Sequence, residues 1–370
     1  MSKIKQLGFI SSYSIPLLIL LGYYLPQSPI TILAAPFTYI LVPLFDIIVG
    51  KDINNVLKED FDELLKEKYF DILVYSHVYI QYFLILWTCY VLSVDSLSTF
   101  QIVGLFVCQG IYSGTIINVA HELGHRNSKM AQFYSKMALI SVCYYHFFVE
   151  HNRGHHVHVA TPKDPATSKW NQNLYAFWIQ TIFGGLKSAW NIEKVQNLKK
   201  GKTSWYYNQV LWGGMAALIL FSVITFSYSS FFNVNISLIT AFLIVQSVFA
   251  ILLLETVNYV EHYGIERRLL STGKYEKINP LHSWNANHFY SNLLLFNLQR
   301  HSDHHAYASR PYQVLRHFDE SPQLPFGYPL MIIMALFPPL WFKIMNKKLE
   351  VWKFKAFDAE HIRLVINQFA

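Results

Sequence analysis

Residues 237–262 read SLITAFLIVQSVFAILLLETVNYVEH, an apolar stretch that ends in an acid and a histidine. It carries no charge before Glu255, and about 20 apolar residues are enough for an α-helix to cross the hydrocarbon core of a membrane. A carboxylate near the end of such a helix is costly and usually functional. The stretch therefore predicts a membrane-spanning helix whose last turns carry chemistry.

Five other segments are similarly long and apolar. We predict an all-α polytopic membrane protein with six transmembrane helices, near 8–25, 30–50, 70–92, 99–120, 206–231 and 237–259. Pro26-Gln27-Ser28-Pro29 predicts a tight turn between the first two. The apolar segments 174–190 and 327–343 are expected to lie in the membrane surface, the second because it is short and contains Pro338-Pro339.

The distribution of basic residues predicts the orientation. The connections 26–29, 93–98 and 232–236 contain no Lys or Arg, so all 30 basic residues fall on the other side of the membrane. The positive-inside rule then makes both termini cytoplasmic, and residues 121–205 and 260–370 form a cytoplasmic helical cap of a single domain, 1–370. The net charge of +7 is explained by topology, and we predict no nucleic-acid partner.

Histidine is the unusual component of the composition. There are 16 histidines and only 3 cysteines, and the cysteines form no paired motif, which argues against a thiol-ligated cluster or a disulfide framework. Nine histidines fall in four short clusters, all next to the predicted inner boundary of the membrane: His121, His125, His151, His155, His156, His262, His301, His304 and His305. The remaining seven are expected to have ordinary structural roles or, for His146 and His158, to flank the clusters.

The spacing within the clusters predicts metal binding. Residues four apart share one face of a helix, which places His121 with His125, His151 with His155, and His301 with His305. Neutral imidazole suits iron, zinc, copper and nickel, and nine ligands are too many for one ion, so we predict a dimetal site. Ligating imidazoles usually donate their second N–H to an acceptor; the carboxylates placed to accept it are Glu122, Glu150, Asp164, Glu255, Glu261 and Asp303.

An alternative from another class is a membrane zinc metalloprotease. His121-Glu122-Leu123-Gly124-His125 matches a zinc-protease motif in which Glu122 is the general base. Membrane proteases of this kind also use an Asp ligand in a Leu-Asp-Gly setting, which does not occur here, and seven clustered histidines would have no function.

The histidine motifs resemble those of the integral-membrane non-haem diiron family that includes fatty acid desaturases and alkane hydroxylases. Glu150-His-Asn-Arg-Gly-His-His156, Asn258-Tyr-Val-Glu-His-Tyr-Gly264 and Leu298-Gln-Arg-His-Ser-Asp-His-His305 are similar to the signatures of AlkB-type alkane 1-monooxygenases. Two positions depart from that pattern, since Arg126 stands where we expect Lys and His158 where we expect Arg.

The resemblance implies two non-haem iron ions held by the nine histidines, with Glu255 and Asp303 as catalytic carboxylates. It implies hydroxylation of the terminal methyl of linear alkanes to 1-alkanols with O2, in a bacterial inner membrane whose lipid delivers the substrate. The chain has no nucleotide-binding glycine motif, so electrons are expected from NAD(P)H through rubredoxin reductase and rubredoxin. A xylene-type methyl hydroxylase and a fatty-acyl desaturase or hydroxylase are the alternatives.

Two surfaces follow from this function. An apolar substrate channel is expected between the spans, with walls that include Phe37, Tyr39, Ile111, Ile116 and Leu252. An acidic electron donor favours a basic docking face, for which the candidates are Lys199, Lys200, Arg267, Arg268 and Arg316.

Overall fold

A computed structural model describes residues 1–25 and 32–369, and within them every regular element is helical. The predicted turn Pro26–Pro29 lies outside the described residues. The longer helices, in chain order, are α1 (Lys3–Tyr24), α2 (Ala34–Val49), α3 (Phe61–Lys66), α4 (Lys68–Val94), α5 (Thr99–Gly124), α6 (Lys129–Ile140), α7 (146–158), α8 (Leu174–Lys199), α9 (Gln209–Phe232), α10 (Ile236–His262), α11 (Phe289–Leu294), α12 (His301–Ala306), α13 (Tyr328–Ala335), α14 (Pro338–Ala356) and α15 (Ala359–Phe369). The prediction of an all-α protein is confirmed.

Among the described residues, five helices are long and apolar enough to cross a membrane, namely α1, α4, α5, α9 and α10. The second predicted span, 30–50, corresponds to the shorter α2, which begins at Ala34 and extends about 24 Å. That is less than the ~30 Å of a typical hydrocarbon core, so the number of six crossings stays a prediction. The five long apolar helices nevertheless indicate a multi-pass membrane protein.

Helices α5 and α10 approach each other closely because glycines line their interface. A Cβ on Gly110 would lie 2.7 Å from the side chain of Phe249, and one on Gly114 would lie 2.5 Å from that of Leu253. Small residues spaced four apart permit such contact between membrane helices. Both helices end in predicted metal ligands, so their packing fixes the separation of the histidines that they carry.

Buried amides connect three of the long helices. Gln81 of α4 donates to the Ser113 hydroxyl of α5 at 3.0 Å, and Ser113 donates to Gln246 of α10 at 2.6 Å. All three side chains are buried. Hydrogen bonds of this kind within a membrane bundle average about 0.6 kcal/mol each, and they fix the rotation of each helix about its axis.

The ends of α5 and α10 lie further along the chain than predicted. The spans were expected to end near residues 120 and 259, whereas α5 continues to Gly124 and α10 to His262. His121 and His262 are therefore part of the helices and share their rigidity. Helix α8 packs against α7 and α10 beside these ends, and the predicted surface segment 327–343 is divided between α13 and α14, neither of them among the candidate spans.

Candidate metal centre

The nine clustered histidines converge on two adjacent points at the ends of α5 and α10. In each group, one ligand nitrogen from every residue lies within 4.8 Å of the others. The five-histidine group contains His121, His125, His151, His156 and His304. The four-histidine group contains His155, His262, His301 and His305. The fold thus contains two adjacent histidine groups, each of which could hold a metal ion.

A π-helical turn divides the second cluster between the two groups. Residues His151–His155 form this turn inside α7, and the backbone N–H of His156 donates to the carbonyl of His151. The wider turn brings His156 below His151, with their Nε2 atoms 3.0 Å apart. The α-helical spacing that would place His151 and His155 on one face does not hold in this π turn, and the two rings belong to different groups; single π turns often occur at functional sites.

Helix α12 contributes to both groups by ordinary helical spacing. His301 and His305, four residues apart, have Nε2 atoms 2.9 Å from each other. His304 points to a different side and joins the five-histidine group. The expectation that this adjacent histidine serves a second ion agrees with the geometry.

The spacing of the rings fits ions between them. Two nitrogens bound to one ion at ~2.1 Å are about 3.0 to 3.4 Å apart at octahedral or tetrahedral angles. The Nε2 atoms of His155 and His305 are 3.3 Å apart, and those of His262 and His301 are 3.2 Å apart. The Nε2 atoms of His125 and His304 are buried without a hydrogen-bond partner, a costly state that metal coordination would relieve.

The protonation state of the rings also suits metal binding. Burial, together with the neighbouring imidazoles, lowers the pKa of His151, His301 and His305 well below the usual range. These rings are therefore neutral at physiological pH, and only the unprotonated nitrogen of an imidazole can ligate.

Carboxylates contact the four-histidine group directly. Asp164 accepts a hydrogen bond from Nδ1 of His155 at 2.8 Å and is itself held by the Thr167 hydroxyl at 2.5 Å. Glu261 lies 3.2 Å from Nε2 of His301, on the side of the ring that faces the other ligands. Asp164 thus occupies the predicted outer position, whereas Glu261 lies within reach of the same space as the ligand nitrogens.

The carboxylate of Glu255 is hydrogen-bonded by three other side chains. It accepts hydrogen bonds from Tyr144 at 2.7 Å, from Thr181 at 2.7 Å and from Asn258 at 3.0 Å. Tyr144 lies in the turn before α7, Thr181 lies on α8 and Asn258 on α10, the helix of Glu255 itself, and only their assembly in space reveals them. A carboxylate that connects α10 with α8 and with the turn before α7, at the edge of the metal centre, has a positioning role.

Asp303 points toward arginines. Arg310 donates to both of its oxygens at 2.6 Å, and Arg316 donates from its backbone at 2.9 Å and from its side chain at 3.2 Å. The carboxylate is fully buried. This network anchors α12, and hence His301, His304 and His305; the sequence offered no signal for the two arginines.

The other two predicted carboxylates differ in their surroundings. Glu122 accepts from Nε and Nη2 of Arg126 at 3.1 and 3.0 Å, so its charge is already compensated. Glu150 shares a small cavity with His146, His151 and Glu255, and burial raises its pKa well above the usual range. Neither carboxylate is hydrogen-bonded to a clustered histidine among the described residues.

An apolar cavity lies between the helices that carry the clustered histidines. It has a volume of about 50 Å³, the space of one or two water molecules. Tyr39 and Ile111, two of the predicted channel residues, line it, and Phe37, Ile116 and Leu252 do not. Asn118 and Leu298, each three residues before a clustered histidine, also line it, so one part of the lining is close in sequence to the ligands.

Comparison with known proteins agrees with this geometry. Residues 98–334 match the family described as fatty acid desaturase. The chain belongs to that family. It is 40% identical over 336 residues to an alkane 1-monooxygenase of Acinetobacter baylyi, which covers 89% of this chain and 80% of the relative. It is 36% identical over 366 residues to alkane 1-monooxygenase 2 of Alcanivorax borkumensis, covering 95% and 93%.

A more distant relative corresponds to the alternative activity. The hydroxylase component of the xylene/toluene monooxygenase of Pseudomonas putida is 28% identical over 257 residues, covering 68% of this chain and 66% of the relative. The predicted resemblance to the alkane 1-monooxygenases is confirmed, and so is the prediction that the chain is an enzyme of this kind. The alternative of a zinc protease explains neither the match to the fatty acid desaturase family nor the presence of two histidine groups.

Proposed function

We propose that this chain is a diiron monooxygenase that hydroxylates the terminal methyl group of linear alkanes, with O2 and electrons from a reduced rubredoxin. The observation that carries the proposal is the division of nine imidazoles into two adjacent groups, of five and four potential ligands. Overall, an alkane, O2, two electrons and two protons give an alcohol and water.

We assign one ion to each histidine group. Iron bound there would supply the reductive activation of O2 that a C–H bond of an alkane requires. Imidazoles bring no negative charge to balance the cations. Asp164 and Glu261, which contact His155 and His301, provide that charge, and Asp303 and Glu255 hold the ligand-bearing helices in place.

The apolar cavity is proposed to hold the end of the alkane chain. An alkane has no polar handle, so its binding depends on apolar burial, at ~0.8 kcal/mol for each CH₂. The lining by Tyr39, Ile111 and Leu298 provides such a surface, and the alkane would enter it from the bilayer with its terminal methyl directed toward the histidines. Because the cavity is narrow, binding of a chain requires its side chains to move apart.

The chain-length preference tests this placement. Ile111→Ala enlarges the cavity and should favour longer or bulkier substrates, whereas Ile116→Ala is a control because Ile116 is buried away from the lining. The ratio of octane to hexadecane oxidation is the measurement. If Ile111→Ala and Ile116→Ala give the wild-type ratio, the substrate does not bind in this cavity.

The donor and the orientation are inferred from the same reasoning. We propose that the termini are cytoplasmic, that the membrane is the bacterial inner membrane, and that rubredoxin binds the basic cytoplasmic face. Of the predicted docking residues, Arg268 is paired with Glu276 at 2.7 Å and Arg316 with Asp303 at 3.2 Å. Lys199 and Lys200, which are exposed at the end of α8, are the better candidates.

The decisive experiment combines activity with metal analysis. Purified membranes with rubredoxin, its reductase and NADH are offered octane, hexadecane and xylene side by side, and the alcohols are measured by gas chromatography. We expect 1-alkanols from the alkanes and two irons per chain. His301→Ala should abolish the reaction, whereas His317→Ala, outside both groups and paired with the exposed Asp319, should not.

Three outcomes would contradict the proposal. One zinc and no iron would exclude diiron chemistry. Oxidation of xylene without oxidation of alkanes would support the methyl hydroxylase alternative. A double bond in the product, in place of a hydroxyl group, would indicate a desaturase.

A further inference from the structure

A second concavity, separate from the alkane cavity, lies on the cytoplasmic side by our orientation. This cleft of about 950 Å³ is formed by the loop 158–169, one face of α8 and the segment 265–275. Its cationic side chains are Lys163, Lys169, Lys187 and Arg267. Two carboxylates also line it, Asp164 and Glu266, and Asp164 is buried and bonded to His155. The cleft therefore has an excess of positive charge.

The cations of the cleft are available for a ligand. Lys163, Lys169 and Lys187 form no ion pair with a carboxylate among the described residues. Arg267 donates from Nη1 to the carbonyl of Val157 at 3.2 Å, but its Nε–H is buried without a partner. A buried donor without an acceptor is unfavourable, and an anion would relieve it.

An apolar groove adjoins this cleft. It has a volume of about 600 Å³ and runs between α8 and the first turns of α9. Its lining includes Phe183, Leu211 and Met215, and Gly214 forms part of its floor. Lys187 and Asn191 line both the groove and the cleft, so the two concavities meet at one edge of α8.

The position of the groove corresponds to one leaflet of the bilayer. The lining residues of α9 run from Val210 to Leu218, a rise of about 12 Å from the end of the helix. This is the end that we predict to face the cytoplasm. A groove at this depth lies among acyl chains, and a cleft beside the helix end lies among lipid headgroups.

We propose that the groove and the cleft together bind a phospholipid with an anionic headgroup from the inner leaflet. An alkane would not interact favourably with the cations of the cleft, and a free anion would not fill the apolar groove. An amphiphile would contact both. Each Lys or Arg near an anionic headgroup attracts it appreciably. The headgroup would lie against the 158–169 loop, which carries the Asp164 partner of His155.

The groove can be filled without strain to the fold. A Cβ built on Gly214 meets nothing within 4 Å, so Gly214→Trp places a large side chain in the groove. Lys187→Glu reverses the charge where the groove meets the cleft. Lys129→Glu is the matched control, since Lys129 is exposed on the same predicted side of the membrane and lies outside both concavities.

The test measures lipid binding and does not depend on catalysis. The full chain is purified in detergent, and native mass spectrometry counts phosphatidylglycerol and phosphatidylcholine that remain bound. We expect retention of phosphatidylglycerol but not phosphatidylcholine, and roughly 10-fold weaker retention in Lys187→Glu and in Gly214→Trp. Lys129→Glu should equal the wild type, and size-exclusion chromatography verifies that each variant is folded.

Other outcomes would overturn the proposal. Equal retention of both lipids, or equal retention by wild type, Lys187→Glu and Gly214→Trp, would exclude a specific site. If only Lys187→Glu weakens binding and inorganic phosphate competes equally well, the cleft binds a free anion. If lipid binding is unchanged but reduction by rubredoxin slows in Lys187→Glu, the cleft is a protein-docking surface.

Discussion

The five-histidine and four-histidine groups differ in what supports them. In the four-histidine group every ligand is buried, and two carboxylates contact its rings, Asp164 at His155 and Glu261 at His301. In the five-histidine group His125 and His156 are partly exposed, and no carboxylate forms an ion pair with its rings among the described residues.

This difference suggests how each ion is retained. Two carboxylates would stabilise a dication in the four-histidine group and fix the rings that bind it. The five-histidine group lacks such carboxylates and has one more potential ligand. Its His125 and His304 have buried nitrogens without a hydrogen-bond partner. We therefore expect the first group to depend on its carboxylates and the second on its number of ligands.

Removal of a ligand should produce the largest difference between the groups. His305→Ala reduces its group to three imidazoles, whereas His125→Ala leaves four. Loss of an outer partner alone typically costs ~10–100-fold in affinity or activity, so we expect His305→Ala to lower hydroxylation by at least ~100-fold and to lose one of the two irons. His125→Ala should retain more iron than His305→Ala, as measured by inductively coupled plasma mass spectrometry.

The control for both variants is His317→Ala, which removes a histidine outside the groups. Its iron content should equal that of the wild type. Equal iron loss in His305→Ala and His125→Ala would show that the number of ligands does not distinguish the two groups.

A change at the α5–α10 interface should affect both groups together. Helix α5 carries His121 and α10 carries His262, and Gly114→Leu would place a side chain where Leu253 now packs. Overpacking of this kind costs about 1–3 kcal/mol. We expect a lower thermal unfolding temperature in detergent and loss of iron from both groups in parallel.

Gly214→Ala is the matched control, because its Cβ meets open space and alanine favours the helix. It should leave the unfolding temperature unchanged or raise it. Iron loss from only one group in Gly114→Leu would show that the packing of α5 on α10 does not set the distance between the ions.

Asp164→Asn tests the carboxylate support of the four-histidine group. The amide keeps the shape but removes the charge that balances the ion and favours the His155 tautomer. We expect ~10–100-fold weaker metal binding, confined to this group and measured by competition with a chelator. Asp319→Asn is a close control, because Asp319 contacts His317 at 2.9 Å at an exposed site; if both variants behave alike, the Asp164 charge is not important.

The sequence was sufficient to predict that nine histidines come together, but not how they divide into two groups. Apolar length predicted the long helices, and clustered histidines at their ends predicted a dimetal site, because both signals are local. The grouping of His156 with His151 depends on a π turn. No spacing rule for an α-helix contains that information, and the turn forms where α7 packs against α8.

For the carboxylates, too, the sequence predicts contacts within one segment better than contacts between segments. Asp164 lies close to His155 in the chain, and its carboxylate accepts a hydrogen bond from Nδ1 of that ring. The surroundings of Asp303 and Glu255 depend on residues from other segments, such as Arg310 and Tyr144. An acid near a histidine in sequence thus does not reveal whether its charge reaches a metal or an arginine.

Arg126→Lys should have the smallest effect and tests whether Glu122 serves the five-histidine group electrostatically. Arg126 binds Glu122 with two nitrogens and Asp71 with a third, at 2.5 Å. Lysine retains the charge and loses the forked geometry, and the side chain of Asp71 is 51% exposed, so the loss should be about 0.5–1 kcal/mol. Metal binding by the five-histidine group should then change by only a few-fold in the same chelator competition. A loss as large as that in Asp164→Asn would mean that Arg126 holds Glu122 where its charge supports the ion, and the five-histidine group would then resemble the other in its dependence on a carboxylate.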